Sequence, residues 1–227
     1  MMKSARRGQP AFARTPLLRV PLVAIVAVAL LLVAGESRAD GIFTRTTPLK
    51  PPFGGPDVTR SGLQEWGIQL GYGTSKQGQT EIMPVYASFG WSLPDAVDLP
   101  MRRHGIKFNW LVEPWIAGIH TPNENAVEFG VNPITFKIGY DVGQMVVPYI
   151  QGGIGVMATF LQDGLRLGGP FEFDETFGAG LDLFCAPDFA LTVGYRYRHM
   201  SNASISSDNS GLDTQFVTFG INFQPAR

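Results

Sequence analysis

Along most of the chain apolar and polar positions alternate with a period of two, the spacing of a β-strand with one apolar face. Trp66, Ile68, Leu70 and Tyr72 alternate with small or polar residues, and Met83, Val85, Ala87, Phe89 and Trp91 repeat the pattern. A third set, Ile106, Phe108, Trp110, Val112 and Ile116, stands against Lys107, Asn109 and Glu113. Further segments run over 126–140 and 145–160. In the sixth, Phe171, Phe173, Phe177, Ala179, Leu181 and Leu183 oppose Glu172, Asp174, Thr176 and Asp182. The seventh sets Leu191, Val193, Tyr195 and Tyr197 against Thr192, Gly194, Arg196 and Arg198. The eighth sets Val217, Phe219, Ile221 and Phe223 against Thr214, Thr218, Gly220 and Asn222. The pattern predicts eight strands and no amphipathic helix.

Which face is inside decides the class. In a soluble sandwich the aromatic set would line a core and the polar set would meet water. Here the polar set carries Glu172, Asp174, Asp182, Arg196 and Arg198, charges that can pair inside a narrow barrel while the aromatics face lipid. Each segment is long enough to cross a bilayer as a tilted strand of about ten residues. The expected fold is all-β, an eight-stranded antiparallel transmembrane β-barrel of the outer membrane, with a secreted soluble barrel as the alternative. With odd strands rising from the periplasm, 186–188 is a short inner turn and 203–211 an outer loop. The connection 94–103 is longer than the short inner turns of such barrels.

The amino terminus reads differently. Arg6, Arg7, Arg14 and Arg19 precede an apolar run over 20–34, and Ser37-Arg38-Ala39 has the form of a cleavage site. Residues 1–39 therefore read as a secretory signal peptide, 40–61 as a proline- and glycine-rich tether, and 62–227 as the barrel. Removing the leader changes the net charge from −1 to −6, because it holds six basic residues and one acidic one. An exported acidic chain with a single cysteine, Cys185, fits the Gram-negative envelope and lacks an internal disulfide framework. No basic surplus points to nucleic acid. No cluster of ligands at metal spacing points to a metal, and no cofactor is implied.

Chemistry concentrates at the end of the seventh segment. His199 and Ser201 are two apart, so on a strand they share a face at roughly 7 Å between Cα atoms. Their parity is that of Tyr195 and Tyr197, the lipid-facing set, where an ionisable side chain is costly. Asp213 has the outward parity of Val217 and Phe219 and lies across the hairpin. A base, a nucleophile and a carboxylate thus share one outer face near one rim. Taken singly, His199 reads as a strand-end histidine and Ser201-Asn202 as loop entry; together they read as a site. His104 and His120 fall at a connection and a rim. Gly153-Ile154-Gly155-Val156-Met157-Ala158 has the form of a dinucleotide fingerprint, with Glu172 downstream, but no helix follows it. Its glycines are expected to keep a barrel interior uncrowded.

These residues resemble a known family, the outer-membrane lipid A 3-O-deacylases (PagL-like). The family's His-x-Ser-Asn-Ala motif is matched by His199, Ser201, Asn202 and Ala203, and its Asn-x-Gly-x-acid element by Asn209, Gly211 and Asp213. Weaker resemblance extends over the later strands, including residues 148–153. The resemblance implies an eight-stranded barrel with a serine hydrolase site on its outer wall and lipid A of lipopolysaccharide as substrate. It implies His199 as general base, Ser201 as nucleophile, Asp213 as the acid that orients His199, and Asn202 as an oxyanion donor. The family's acid is usually glutamate, so the shorter Asp213 is expected to reach His199 through a hairpin shift or a water, with Asp208 the alternative acid. A homodimer is compatible with the sequence. The rival reading is a structural or adhesion barrel without catalysis.

Overall fold

The computed structural model describes residues 62–75, 79–142, 145–161, 167–207 and 209–224; the expected leader and tether, and Asp208, lie outside the described residues. The described residues contain eight strands: β1 (Leu63–Thr74), β2 (Glu81–Ser92), β3 (Ile106–His120), β4 (Asn125–Tyr140), β5 (Val146–Thr159), β6 (Phe171–Ala186), β7 (Phe189–Ser201) and β8 (Leu212–Phe223). Each pairs antiparallel with its sequence neighbour, and β8 returns to β1 to close the barrel. Closure leaves no strand edge, the condition for placing backbone N–H and C=O groups in hydrocarbon. The apolar set faces outward all round: Leu70, Phe177, Phe219, Ile154 and Ile116 are more than half exposed. That surface is a lipid-facing wall.

Aromatic pairs band the wall at both ends. Trp66 stacks on Phe223 with ring centroids 4.4 Å apart, and Trp91 meets Trp110 at 5.6 Å, at the end where β1 begins and β8 finishes. Phe129 with Phe160 and Phe171 with Phe173 mark the opposite end. Such belts are the interfacial anchors of membrane barrels.

The interior is filled in tiers. At the end where β1 begins, Lys137 bonds Asp182 at 2.7 Å, Lys107 bonds Glu65 at 2.9 Å, and Lys137 lies 3.6 Å from Glu65. Midway, Arg196 grips both carboxylate oxygens of Glu113 at 3.0 and 3.2 Å, and Arg198 pairs with Glu128. Both guanidinium groups also lie over rings: Arg196 is 4.2 Å from the Tyr86 centroid, Arg198 5.2 Å from that of Trp115. Toward the far end an apolar cluster of Ile82, Trp115, Met157, Met200, Leu212 and Phe216 packs with Leu161 and Leu167, beside the buried Glu172 and Asp174. The charged set faces the interior as the sequence predicts, but its members do not pair with one another: the acids bonded to the two arginines come from β3 and β4, and Asp182 of β6 pairs with Lys137. Gly153 and Gly155 face this interior, where a Cβ would run into the side chains of Thr135 and Asn132. No helix follows them: β5 runs through to Thr159. The fingerprint reading therefore falls.

Of the departures from strict alternation, two matter most here. A bulge between Val131 and Ile134 of β4 switches the parity, so Glu128 and Lys137, an odd number apart, both point inward. Pro133 sits there, where its missing N–H breaks no ladder, and its carbonyl accepts from Trp110 Nε1 at 2.8 Å. The second departure corrects the expectation of no helix. The connection after β2 contains α1 (Asp95–Arg103), with Asp95 and Asp98 in its first turn and Arg102 and Arg103 in its last. This charge order complements the helix dipole, and Asp98 and Arg102 form a buried pair at 2.7 Å. Nine residues with Pro100 inside gave too short a repeat to register as a helical period.

Removing one partner of a buried ion pair strands the other charge. Glu113→Ala should therefore destabilise the refolded barrel by about 3–5 kcal/mol, read as a lower urea midpoint for loss of the heat-modifiable band. The double change Glu113→Leu with Arg196→Met should recover most of the loss.

Sidedness is also open to direct test. The connections 75–80, 121–124, 160–170 and 202–211 share one end, and α1 shares the other with the turn 187–188. In a Cys185→Ala background, Ser207→Cys should react with an impermeant maleimide on intact cells, while native Cys185, exposed at the opposite end, should react only after lysis. Labelling of Ser207→Cys only after lysis would invert the topology.

Candidate active site

The site is built on the β7–β8 hairpin where it leaves the barrel wall. Alternation along β7 turns Arg196, Arg198 and Met200 inward and Tyr197, His199 and Ser201 outward. On β8, Leu212 and Thr214 are buried and Asp213 and Gln215 exposed. The register pairs His199 directly with Asp213. An imidazole and a carboxylate opposite one another on one face are close enough to bond, and they do: His199 Nδ1 lies 2.7 Å from Asp213 Oδ1. Against the expectation of a hairpin shift or a bridging water, the aspartate reaches the ring unaided, because direct pairing across the ladder already brings the two backbones together. With Nδ1 donating to Asp213, Nε2 carries the lone pair. The side chains are 38% and 49% exposed, so the pair is open to water or to a lipid headgroup.

Ser201 lies one outward position above His199, opposite Phe173 of β6. The structure puts Ser201, His199 and Asp213 on one face but leaves the serine hydroxyl without a hydrogen bond to the imidazole. Apo sites are often loose at this link, which tightens only when substrate is bound.

Asn202 behaves differently from the other three. It is 3% exposed and turned into the barrel, where Nδ2 donates to the Leu167 carbonyl at 2.9 Å. Its backbone N–H donates to Asn209 Oδ1 at 3.0 Å. Asn202 thus ties the hairpin to the connection after β5. After it, Ala203 and Ser204 both adopt left-handed backbone conformations, with φ of 50° and 64°, and Ile205 N–H closes the turn on the Asn202 carbonyl.

The two short motifs are therefore one physical unit. His199 meets Asp213, Asn202 meets Asn209, and Gly211 lies against the imidazole. At Gly211 φ is +64°, and a Cβ would come within 3.1 Å of His199 Cε1. The glycine is needed both for its backbone conformation and for the space.

Two neighbours escape a motif-based reading. Tyr197 donates its hydroxyl to Asp213 Oδ1 at 2.7 Å. Glu175, exposed on β6, pairs in register with His199 from the side opposite Asp213. The signal for Glu175 was its parity, that of Phe171, Phe173 and Phe177, where a carboxylate facing lipid is expensive. His120 is occupied elsewhere, its Nδ1 2.7 Å from Asn125 Oδ1 across the short β3–β4 turn. Among the described residues no three or more histidine, cysteine, aspartate or glutamate side chains are grouped to hold a metal ion.

Comparison with known proteins places the chain. The family profile described as Lipid A 3-O-deacylase (PagL) matches residues 86–222, more than half of the chain. The chain belongs to this family. The matched span holds both motifs, all of β3 to β7, the second half of β2 and all but the last residue of β8. The lipid A deacylase PagL of Bordetella bronchiseptica is 36% identical over 81 residues, 33% of this chain and 41% of that protein. A 25 kDa outer-membrane immunogenic protein of Brucella canis is 32% identical over 92 residues, 39% of this chain and 43% of that one. The chain spans less than half the length of the curated relatives it matches. Among solved structures, the outer membrane enzyme PagL superposes with a TM-score of 0.56 at 20% identity, covering 70% of this chain and 99% of that one. Neisserial surface protein A does so at 0.50 and 13% identity, over 72% and 96%. These likenesses establish the fold, and with the family they place the chain in the outer membrane. The homodimer compatible with the sequence gains no support from them.

The contact between Gly211 and the imidazole gives a prediction independent of turnover. Gly211→Ala should shift the His199 Cε1–H resonance in NMR spectra of the refolded barrel, leaving resonances from β3 to β5 in place. The left-handed backbone adds a cost of about 1 kcal/mol. An unmoved His199 resonance would mean that the imidazole does not rest on this turn.

Proposed function

We propose that this barrel is a serine esterase that hydrolyses an ester-linked acyl chain, at the 3-O position, from lipid A of lipopolysaccharide. The observation that carries the reading is the 2.7 Å His199–Asp213 contact on the outer wall, with Ser201 next on the same face. A hydrogen-bonded acid and base facing lipid serve no packing purpose in the barrel, and membership of the deacylase family supplies the substrate class.

In this scheme Ser201 Oγ attacks the ester carbonyl carbon and passes its proton to His199 Nε2. Asp213 holds the imidazole in the required tautomer and stabilises the imidazolium. The tetrahedral oxyanion is met at the turn that Asn202 anchors, where the backbone N–H groups of the left-handed residues Ala203 and Ser204 provide the donors. Asn202, expected from the resemblance as an oxyanion donor, acts instead by holding the turn, since its side chain and backbone N–H are committed to Leu167 and Asn209. Collapse breaks the bond to the sugar oxygen, which leaves with the proton held by His199. Water, deprotonated by His199, then releases the fatty acid from Ser201. The acyl chain lies along the apolar wall below the site, near Phe173, Phe177 and Val217, which orients the ester before reaction. The scheme uses no cofactor.

Incubating purified lipopolysaccharide with refolded protein and weighing the lipid A by mass spectrometry tests the reading. Loss of one ester-linked hydroxyacyl chain is the expected result; unchanged lipid A at high protein excess would favour a structural or adhesion barrel. Ser201→Ala and His199→Ala should each abolish the loss while keeping heat-modifiable migration, since both side chains lie outside the barrel. Asp213→Asn should lower turnover by roughly 10² or more, by analogy with triad acids, whereas Asp213→Glu should retain or raise it. A variant Asp213→Asn that matched the parent would move the acid to Asp208 or another outer-loop residue.

A further inference from the structure

The outward face of β7 carries a second group directed at the candidate site. Tyr197 lies one outward position below His199 and diagonal to Asp213, and its hydroxyl donates to Asp213 Oδ1 at 2.7 Å. His199 Nδ1 lies at the same distance from the same oxygen. One carboxylate oxygen is thus held between the imidazole on one side and the phenol on the other.

We propose that Tyr197 is a positioning residue for the hydrolytic reaction, acting through Asp213 to hold the acid against His199. The inference rests on reading Ser201, His199 and Asp213 as the catalytic group. Its ground is the openness of the pair. An aspartate side chain 49% exposed has little packing to fix it, and a single exposed contact to a neighbouring side chain contributes little and is readily exchanged for solvent. A second donor on the same oxygen restrains rotation of the carboxylate, and hydrogen bonds to a charged acceptor are stronger than neutral ones. The requirement is mutual. A tyrosine hydroxyl facing the lipid boundary needs an acceptor, and Asp213 supplies one. The phenol takes no proton in the reaction and touches no reacting atom.

The test uses Tyr197→Phe, which keeps the ring on the wall and removes only the oxygen, so the barrel should form and migrate as the parent does. With purified lipopolysaccharide as substrate, kcat should fall roughly tenfold or more, the loss expected for one hydrogen bond to a charged group, with KM unchanged. The same substitution in an Asp213→Glu background should cost less than half as much on a logarithmic scale, because the longer acid carries its carboxylate away from the Tyr197 hydroxyl. A kcat within twofold of the parent would overturn the proposal. So would equal losses in the two backgrounds, since the hydroxyl would then not act through Asp213. A raised KM at unchanged kcat would also overturn it, by making Tyr197 a substrate contact. Failure of the underlying reading looks different: Asp213→Asn itself would then turn over at the parental rate.

Discussion

Everything in this molecule depends on the requirement that a backbone in hydrocarbon satisfy its own hydrogen bonds. A closed antiparallel barrel meets that requirement, and the pairing of β8 with β1 completes it. Closure then imposes a strict division of side chains, because each strand sends alternate residues to the lumen and to the lipid. The same rule that drives Arg196 and Arg198 inward drives Tyr197, His199 and Ser201 outward. Chemistry on the wall is a consequence of barrel parity.

The lumen reinforces the division. Eight strands enclose a space that side chains fill, and here ion pairs, a cation over each of several rings and an apolar plug occupy it. The glycines of β5 are placed where a methyl group would already collide. A lumen so packed has no space for a lipid substrate, and an acyl chain would not leave hydrocarbon to enter a charged interior. The outer face of the hairpin is where a lipid ester and a water-exposed acid–base pair can meet.

Much of this was legible in the sequence because period-two patterning is unambiguous when one face is aromatic and the other charged. The outward parity of His199, Ser201 and Asp213 followed from counting along two strands. What counting could not supply was register, the offset between β7 and β8. That offset turns a shared face into the direct contact of His199 with Asp213 and the diagonal contact of Asp213 with Tyr197. Nor could it supply the bulge at Pro133, which breaks the period in the middle of β4. Helix α1 was hidden by its length, although its acids and arginines stood in the order a helix prefers. Asn202 shows a different limit. Its motif position gives a chemical identity but not a direction, and the alternation that sends Ser201 outward sends its neighbour inward to Leu167.

The depth of the site follows from the same geometry. Two residues along a strand move a side chain by roughly 7 Å, so a shift of one outward position separates headgroup from hydrocarbon. Asp213 is the first outward residue of β8, and Ser201 is the last residue of β7. Lower on the wall, an ionised carboxylate would face lipid alone at a cost that rises toward the bilayer centre. Higher, in the loop, an acyl chain bound as proposed would lose the apolar surface of the wall. The outward positions below Ser201, His199 and Tyr197 pass in order from hydroxyl to imidazole to phenol, and then to Tyr195 and Val193. Polarity therefore fades along one face of one strand, in the direction an acyl chain extends from a sugar headgroup into the membrane.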